Sequence, residues 1–176
     1  CALLTAVSDD AVGRYTQKAL AGYGVNTAYV KTVGGEARNS LAVVETRPEN
    51  CQSVIYRNGA ADFELSDTDV SSVDYNSFSA LIVTGTGLAR EPSRGATFKA
   101  LALARAAGLV TIIDIDYRPY SWASKAEARQ IARRPERAPI DSFGCDRDLS
   151  GVHSPPIGAE DQSSKQNRWS QSLAPG

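Results

Sequence analysis

Two short runs dominated by apolar residues, Ala80–Val83 and Leu109–Ile113, stand on either side of an Ala- and Leu-rich stretch that closes at Gly108. No other feature constrains the chain as much. Apolar runs of four or five residues bounded by turn residues are too short for buried helices and suit strands covered on both faces. Between them, Ser93 is placed to cap a helix running through Ala107, with Gly108 as its stop. Strand, helix, strand at this spacing is a βαβ unit, which makes the two strands parallel. A helical pattern over Ala123–Ile131 follows. The expected class is α/β: a parallel sheet with flanking helices.

Upstream, Ala2–Val7 reads as another strand. Val12, Tyr15, Ala19, Leu20 and Tyr23 then recur at helical spacing up to Gly24, a plausible stop. Three β-rich runs follow at Ala28–Val33, Ser40–Thr46 and Ser53–Arg57. Asn58-Gly59 is a tight-turn signal, and Asp62–Leu65 reads as the returning strand. Ser66 before Asp67 and Asp69 suits a helix start near 67–75. The cluster at 28–65 thus reads as a small antiparallel lid beside the α/β core. Residues 132–176 are different. Ser, Pro, Gly, Arg and Gln dominate, and Ile140, Phe143, Val152, Ile157, Trp169 and Leu173 follow no period. Such a stretch cannot bury enough apolar surface to offset its ordering entropy, so a disordered tail is expected after a domain spanning 1–131.

At 176 residues, with 42% hydrophobic and 22% charged content, the chain has one domain's worth of core. A formal net charge of −1 supplies no global field toward nucleic acid or an anionic membrane. No apolar run approaches the roughly 20 residues that span a bilayer, and no secretory leader pattern opens the chain. Cys1, Cys51 and Cys145 lie far apart without a CxxC pair. This argues against a metal or disulfide framework and for free thiols in a reducing, cytoplasmic setting. The single histidine, His153, falls in the expected tail. The chain opens inside a strand and contains no Met, so it reads as a fragment.

Ligands of open α/β sheets bind at the carboxyl ends of strands. That rule selects Thr84–Glu91 and Asp114–Trp122. In the second loop Arg118 lies within reach of Asp114 and Asp116, Pro119 fixes the backbone, and Tyr117, Tyr120 and Trp122 supply walls. A guanidinium clamps a carboxylate or phosphate bidentately; an internal Asp–Arg bridge in an aromatic cluster is the competing reading. Thr84-Gly85-Thr86-Gly87-Leu88-Ala89-Arg90 nearly matches a dinucleotide fingerprint, but Arg90 stands where the third glycine belongs and Glu91-Pro92 delays the helix. Arg57 faces a pocket if the lid folds over the strand ends, and is otherwise an exposed Arg beside a turn. Asp9 and Asp10 suit helix capping.

Several segments resemble the ribokinase (PfkB) family of carbohydrate kinases. Val7-Ser-Asp-Asp-Ala-Val-Gly-Arg14 is similar to its Val-Gly-Asp-Asp-x-x-Gly-Arg segment, and Gly24-Val25-Asn26-Thr27 to the Gly-Val-Asp-Thr after it. Tyr56-Arg57 with Ala60-Ala61-Asp62 resembles the lid of members acting on keto-deoxy sugar acids. Asp114-Ile-Asp-Tyr-Arg-Pro-Tyr-Ser-Trp122 resembles the inositol-catabolism branch, with Asp116 where the general pattern has Asn. The resemblance covers about residues 2–131. It implies an incomplete ribokinase-like fold and transfer of the ATP γ-phosphate, with Mg2+, to a primary hydroxyl of a sugar or sugar acid. Tyr56, Arg57 and Arg118 would bind the substrate, and Asp116 would line the cofactor side of the same site. Two copies would pair through the lid sheet.

The family's N-terminal strand and Gly-Gly substrate loop, and its Asp-Thr-x-Gly-Ala-Gly-Asp motif with the catalytic base, are not in the sequence. No catalytic residue is therefore assigned, and this chain is expected to be inactive by itself. The abrupt change of texture near residue 132 suggests a shifted reading frame. The alternatives are a Rossmann-like module that binds a nucleotide or anionic metabolite without chemistry, and a non-functional translation product.

Overall fold

The computed structural model describes residues 1–46, 49, 53–114, 117, 121–132 and 142–144. Strand β1 (Thr5–Ser8), helix α1 (Ala11–Gly22) and strand β2 (Val30–Val33) form a βαβ unit, with Thr5 opposite Val30 and Ser8 opposite Val33 in a parallel pair. Strand β3 (Leu41–Val44) and strand β4 (Ser53–Tyr56) form a separate antiparallel pair, Leu41 opposite Tyr56. The chain then passes through a 3-10 turn at Ala61–Glu64, helix α2 (Asp67–Ser71) and a second 3-10 turn at Tyr75–Ser77. Strand β5 (Ala80–Thr84), helix α3 (Ser93–Ala106) and strand β6 (Val110–Asp114) make the second βαβ unit, with Ala80 opposite Val110. Helix α4 (Lys125–Ala132) and strand β7 (Ser142–Gly144) follow, and β7 pairs parallel to β6. No helix among the described residues is long and apolar enough to cross a membrane.

The core forms where α2 and α3 cover one face of β5 and β6. Ala96, Ala100 and Ala104 recur every four residues along α3 and pack with Leu65, Val70, Tyr75 and Leu109, against Leu4 and Leu81. Small residues on that stripe let the helix approach the sheet closely. Val70 is fully buried, worth about 1.5–3 kcal/mol. A second cluster joins Leu88, Ile113 and Ile131 with Val83, Phe98 and Trp122.

Several expectations are corrected. Val30–Val33 is not a strand of the antiparallel lid: α1 carries the chain back alongside β1 and it pairs parallel to β1 as β2, leaving β3 and β4 as the lid pair. Asp62–Leu65 is not a returning strand. After the Asn58-Gly59 turn, where Gly59 sits at φ +61°, the chain dives inward: Ala60 bridges Arg38, the Ala61 N–H donates to the Arg38 carbonyl at 2.8 Å, and Ala61 and Phe63 are buried. The partner of β4 is β3 instead. The helix begun at Asp67 stops at Ser71, short of residue 75. The Ala80–Val83 run is not buried on both faces. Leu81 and Val83 face the core, while Ile82 is 67% exposed, because α2 and α3 cover one face only. Within the expected tail, Ser142–Gly144 is a strand, since the open edge of β6 offers it a ladder; the rest of that segment lies outside the described residues.

Candidate functional site

The two βαβ units and the lid meet at the carboxyl ends of β1 and β5. At the end of β1, Asp10 is the N-cap of α1. Its carboxylate accepts from the N–H groups of Val12 at 2.9 Å and Gly13 at 3.0 Å and from Ser8 Oγ at 2.8 Å. The Gly13 N–H, then Ser8, hold the Asp10 carboxyl below the usual range. A Cβ on Gly13 would fall 1.7 Å from the Ser8 carbonyl oxygen, so only glycine lets the helix start this close to the strand. Asp10 and Gly13 therefore build the corner, as the capping reading expects. Asn39 joins the lid to it: its Oδ1 accepts from the Ser8 N–H at 2.7 Å and its Nδ2 donates to Thr16 Oγ1 at 2.8 Å.

At the end of β5 the chain forms a 3-10 turn, Gly85–Leu88, and α3 begins only at Ser93 with Pro92 at its cap. The glycine loop does not open directly into a helix N-terminus, which removes the geometry that a dinucleotide fingerprint requires. Arg94 fixes this loop by donating from Nε to the Leu88 carbonyl at 2.7 Å and from Nη2 to the Ala89 carbonyl at 2.9 Å and to Glu127 Oε1 at 3.0 Å. Ser93 Oγ donates to the Gly87 carbonyl at 2.8 Å, and the Thr84 and Thr86 hydroxyls lie 3.0 Å apart.

Arg57 links the lid to this loop. Its Nη1 donates to the Thr86 carbonyl at 3.1 Å, its Nη2 pairs with the Asp62 carboxylate, and its guanidinium carbon lies 4.0 Å from the Phe63 ring centroid. The side chain is only 14% exposed. Asp62 also accepts from Ser40 Oγ at 2.8 Å. On the same ring, the Arg90 guanidinium carbon is 6.0 Å from the centroid. A cavity of about 500 Å³ opens here, with Arg57, Asp62, Thr84, Thr86 and Gly87 at its polar end.

Of the residues selected from sequence, Arg57 reaches the strand ends and Tyr56 lies beside it at the end of β4, exposed. Asp116 and Arg118 lie outside the described residues. Asp114 ends β6, and Tyr117 is buried. Sequence reasoning missed Asp62 as the partner of Arg57, Asn39 as the lid's tie to β1, and Arg94 as the loop's staple. The signal for Asp62 was present: the Asn-Gly turn between it and Arg57 folds five residues back on themselves. No group of three or more His, Cys, Asp or Glu able to hold a metal occurs among the described residues. The polar side chains at this end of the cavity are the Arg57 guanidinium, the Asp62 carboxylate and the Thr84 and Thr86 hydroxyls.

The family model described as pfkB family carbohydrate kinase matches residues 1–136. Among curated proteins, 5-dehydro-2-deoxygluconokinase of Photobacterium profundum is 38% identical over 122 residues, covering 69% of this chain and 37% of its own. 5-dehydro-2-deoxygluconokinase 2 of Bacillus cereus is 41% identical over the same length, with the same coverage. The chain thus spans little more than a third of the curated relatives it matches. Among solved structures, fructokinase with bound ATP from Xylella fastidiosa superposes with a TM-score of 0.67 at 20% identity, covering 77% of this chain and 42% of that one.

Proposed function

We propose that this chain, which belongs to the pfkB family of carbohydrate kinases, carries the acceptor half of a kinase that transfers the ATP γ-phosphate to a primary hydroxyl of a keto-deoxy sugar acid such as 5-dehydro-2-deoxygluconate. One observation carries the reading: Arg57 reaches from the lid to the Thr86 carbonyl at the end of β5 and is held there by Asp62 and Phe63. A guanidinium fixed over a strand end is placed to meet an anionic acceptor without reorganising, and positioning with fixed charge is most of what phosphoryl transfer asks of the protein. Asp62 takes an N–H of Nη2, the Thr86 carbonyl takes one of Nη1, and Phe63 lies against the guanidinium face. The remaining N–H groups are the ones left for a substrate carboxylate.

In this reading Tyr56 contacts the acceptor beside Arg57, Arg118 binds its carboxyl or the transferred phosphate, and Asp116 lines the cofactor side. ATP with Mg2+ supplies the phosphoryl group. The Asp-Thr-x-Gly-Ala-Gly-Asp motif is not in residues 1–176, so we expect acceptor binding without turnover from this chain alone. Two copies pair through the lid, whose Leu41, Val43, Val54 and Tyr56 are exposed, in a cytoplasmic setting.

The test is calorimetry with 5-dehydro-2-deoxygluconate and with fructose as a neutral control. Arg57→Ala should weaken the sugar acid about 10- to 100-fold, the weight of one hydrogen bond to a charged group, and leave fructose nearly unchanged. Equal losses for both ligands would remove the carboxylate argument. Turnover by the isolated chain in a coupled assay would overturn the half-site reading.

A further inference from the structure

Charge is scarce in the cavity at the strand ends. Among the side chains that line it, only Arg57 and Asp62 carry charge, one of each sign. Both oxygens of Asp62 are taken. Oδ1 accepts from Ser40 Oγ at 2.8 Å, just before β3, and Oδ2 meets Arg57 Nη2. Ala61 and Phe63 on either side of it are buried, and the Ala61 N–H is bonded to the Arg38 carbonyl. The backbone that carries the carboxylate is therefore anchored, and the carboxylate stays in place when a ligand arrives.

Arg57 is held as firmly. Of the five N–H groups of a guanidinium, one goes to the Thr86 carbonyl and one to Asp62, and the Phe63 ring covers a face. An anionic ligand meets Arg57 in the guanidinium plane, on the N–H groups that remain. Two anions on neighbouring edges of one guanidinium stand roughly 6–7 Å apart. The Arg57 and Asp62 side chains are only 14% and 28% exposed, so water screens the repulsion between Asp62 and such a ligand only in part.

The other charges around the loop lie outside the cavity. Glu91 Oε2 accepts from the Gly95 N–H at 3.0 Å, and Arg94 pairs with Glu127. Arg90 reaches the Phe63 ring but is exposed and does not line the cavity. Asp114, opposite Thr84 at the end of β6, does not line it either.

We propose that Asp62 is a specificity-determining residue: a fixed counter-charge that lets the Arg57 site take a singly charged carboxylate and turn away a doubly charged phosphate or sulfate group. The inference deepens the acceptor reading above and rests on it for the identity of the acid. A guanidinium alone attracts a dianion twice as strongly as a monoanion, and Asp62 repels the dianion twice as strongly, so the preference is flattened. With an effective dielectric of about 40, between that of surface pairs and water, the repulsion at roughly 6–7 Å is worth about tenfold in affinity per ligand charge. On the kinase reading, the acceptor end then admits a sugar acid without being occupied by the phosphates of the donor.

The test replaces Asp62 by asparagine, which keeps the shape. The amide oxygen can face Arg57 Nη2 and the amide N–H the Ser40 hydroxyl, which accepts as well as donates; only the charge is lost. The NMR signal of the Arg57 side-chain Nε is followed while acetate, a monoanion, or sulfate, a dianion, is added at constant ionic strength, with fructose as the uncharged reference. In wild type, sulfate should bind no more than about threefold tighter than acetate. Asp62→Asn should strengthen acetate about tenfold and sulfate about a hundredfold, and leave fructose unchanged. Ser40→Ala, which removes the tie to β3 but no charge, should keep the wild-type ratio of sulfate to acetate. Equal changes for both anions in Asp62→Asn, or weaker binding of both, would overturn the proposal and leave Asp62 a structural anchor. Should Asp62→Asn fail to fold, the wild-type ratio decides: sulfate more than about tenfold tighter than acetate overturns it. Acetate and sulfate are not sugars, so this readout stands apart from the acceptor reading, which fails instead if Arg57→Ala keeps its sugar-acid affinity.

Discussion

Replacing Gly13 by alanine sets two effects of opposite sign against each other. Intrinsic helix propensity favours alanine by about 1 kcal/mol inside a helix, and Gly13 lies in the first turn of α1. Close approach opposes it. The new Cβ would lie 1.7 Å from the Ser8 carbonyl oxygen and 2.8 Å from its carbon, and it needs at least 3.0 Å, so the helix start must retreat by about 1.3 Å. The obstacle is backbone, which cannot rotate away. The bonds that tie Asp10 to Val12, Gly13 and Ser8 are 2.8–3.0 Å long and do not survive stretching beyond roughly 3.5 Å. Overpacking costs about 1–3 kcal/mol where neighbours can yield. Here the upper end applies, and the net loss is about 2 kcal/mol after the propensity gain. For a domain of this size that lowers the melting temperature by about 6–8 °C, measured by circular dichroism. Gly22→Ala is the matched control: nothing lies within 4 Å of its added methyl, so it should raise stability by a few tenths to about 1 kcal/mol. A Gly13→Ala protein melting at or above wild type would refute the close-approach argument.

Three other outcomes are expected. Tyr75 is buried and its hydroxyl donates to the Val70 carbonyl at 3.0 Å; Tyr75→Phe should cost about 1–2 kcal/mol in urea denaturation. Burial raises its ionisation to about 12, so the stability it favours is intact below pH 10 and declines as pH rises toward 12, which absorbance at alkaline pH will follow. Asp69 accepts from the Ser66 N–H and hydroxyl at 2.8 and 2.6 Å and from Lys31 at 2.9 Å. Burial pushes its carboxyl up, but those bonds outweigh it and the net direction is down. Its contribution is therefore present above the unfolded value of 3.8 and lost as pH falls below it; the urea midpoints of wild type and Asp69→Asn should differ at pH 6 and converge in acid. Arg94→Ala removes the donors that hold the Leu88 and Ala89 carbonyls and should speed amide exchange across 85–91 at least tenfold, whereas unchanged exchange would show the loop is held by its own turn.

The elements built from local chemistry were readable along the chain. The cap at Asp10, the glycine stop after α1, the capping residue Ser66 and the alternation of β5, α3 and β6 all depend on neighbours within a few residues, so their residue types announce them. Arg57 was readable as a lid residue for the same reason, lying at the end of a β-rich run before an Asn-Gly turn. What it touches was not readable. Asp62 looked like strand because its apolar neighbours alternate, yet the Arg38 N–H donates to the Gly59 carbonyl and the Ala61 N–H donates to the Arg38 carbonyl, and the chain then enters a 3-10 turn that brings the carboxylate to the guanidinium.

The sequence was sufficient for the α/β class, the βαβ unit of β5, α3 and β6 and the family motifs, because periodicity and turn chemistry are local; the parallel pairing of Val30–Val33 with β1 was not readable. Only the tertiary structure decided which faces are covered and which edges are open. Ile82 is as apolar as Val83, and nothing along the chain says that one meets solvent and the other Leu88 and Ile113. That difference arises from which helices pack on which face. The pairing of β1 with β2 and of β5 with β6 and β7 is long-range and no local pattern encodes it.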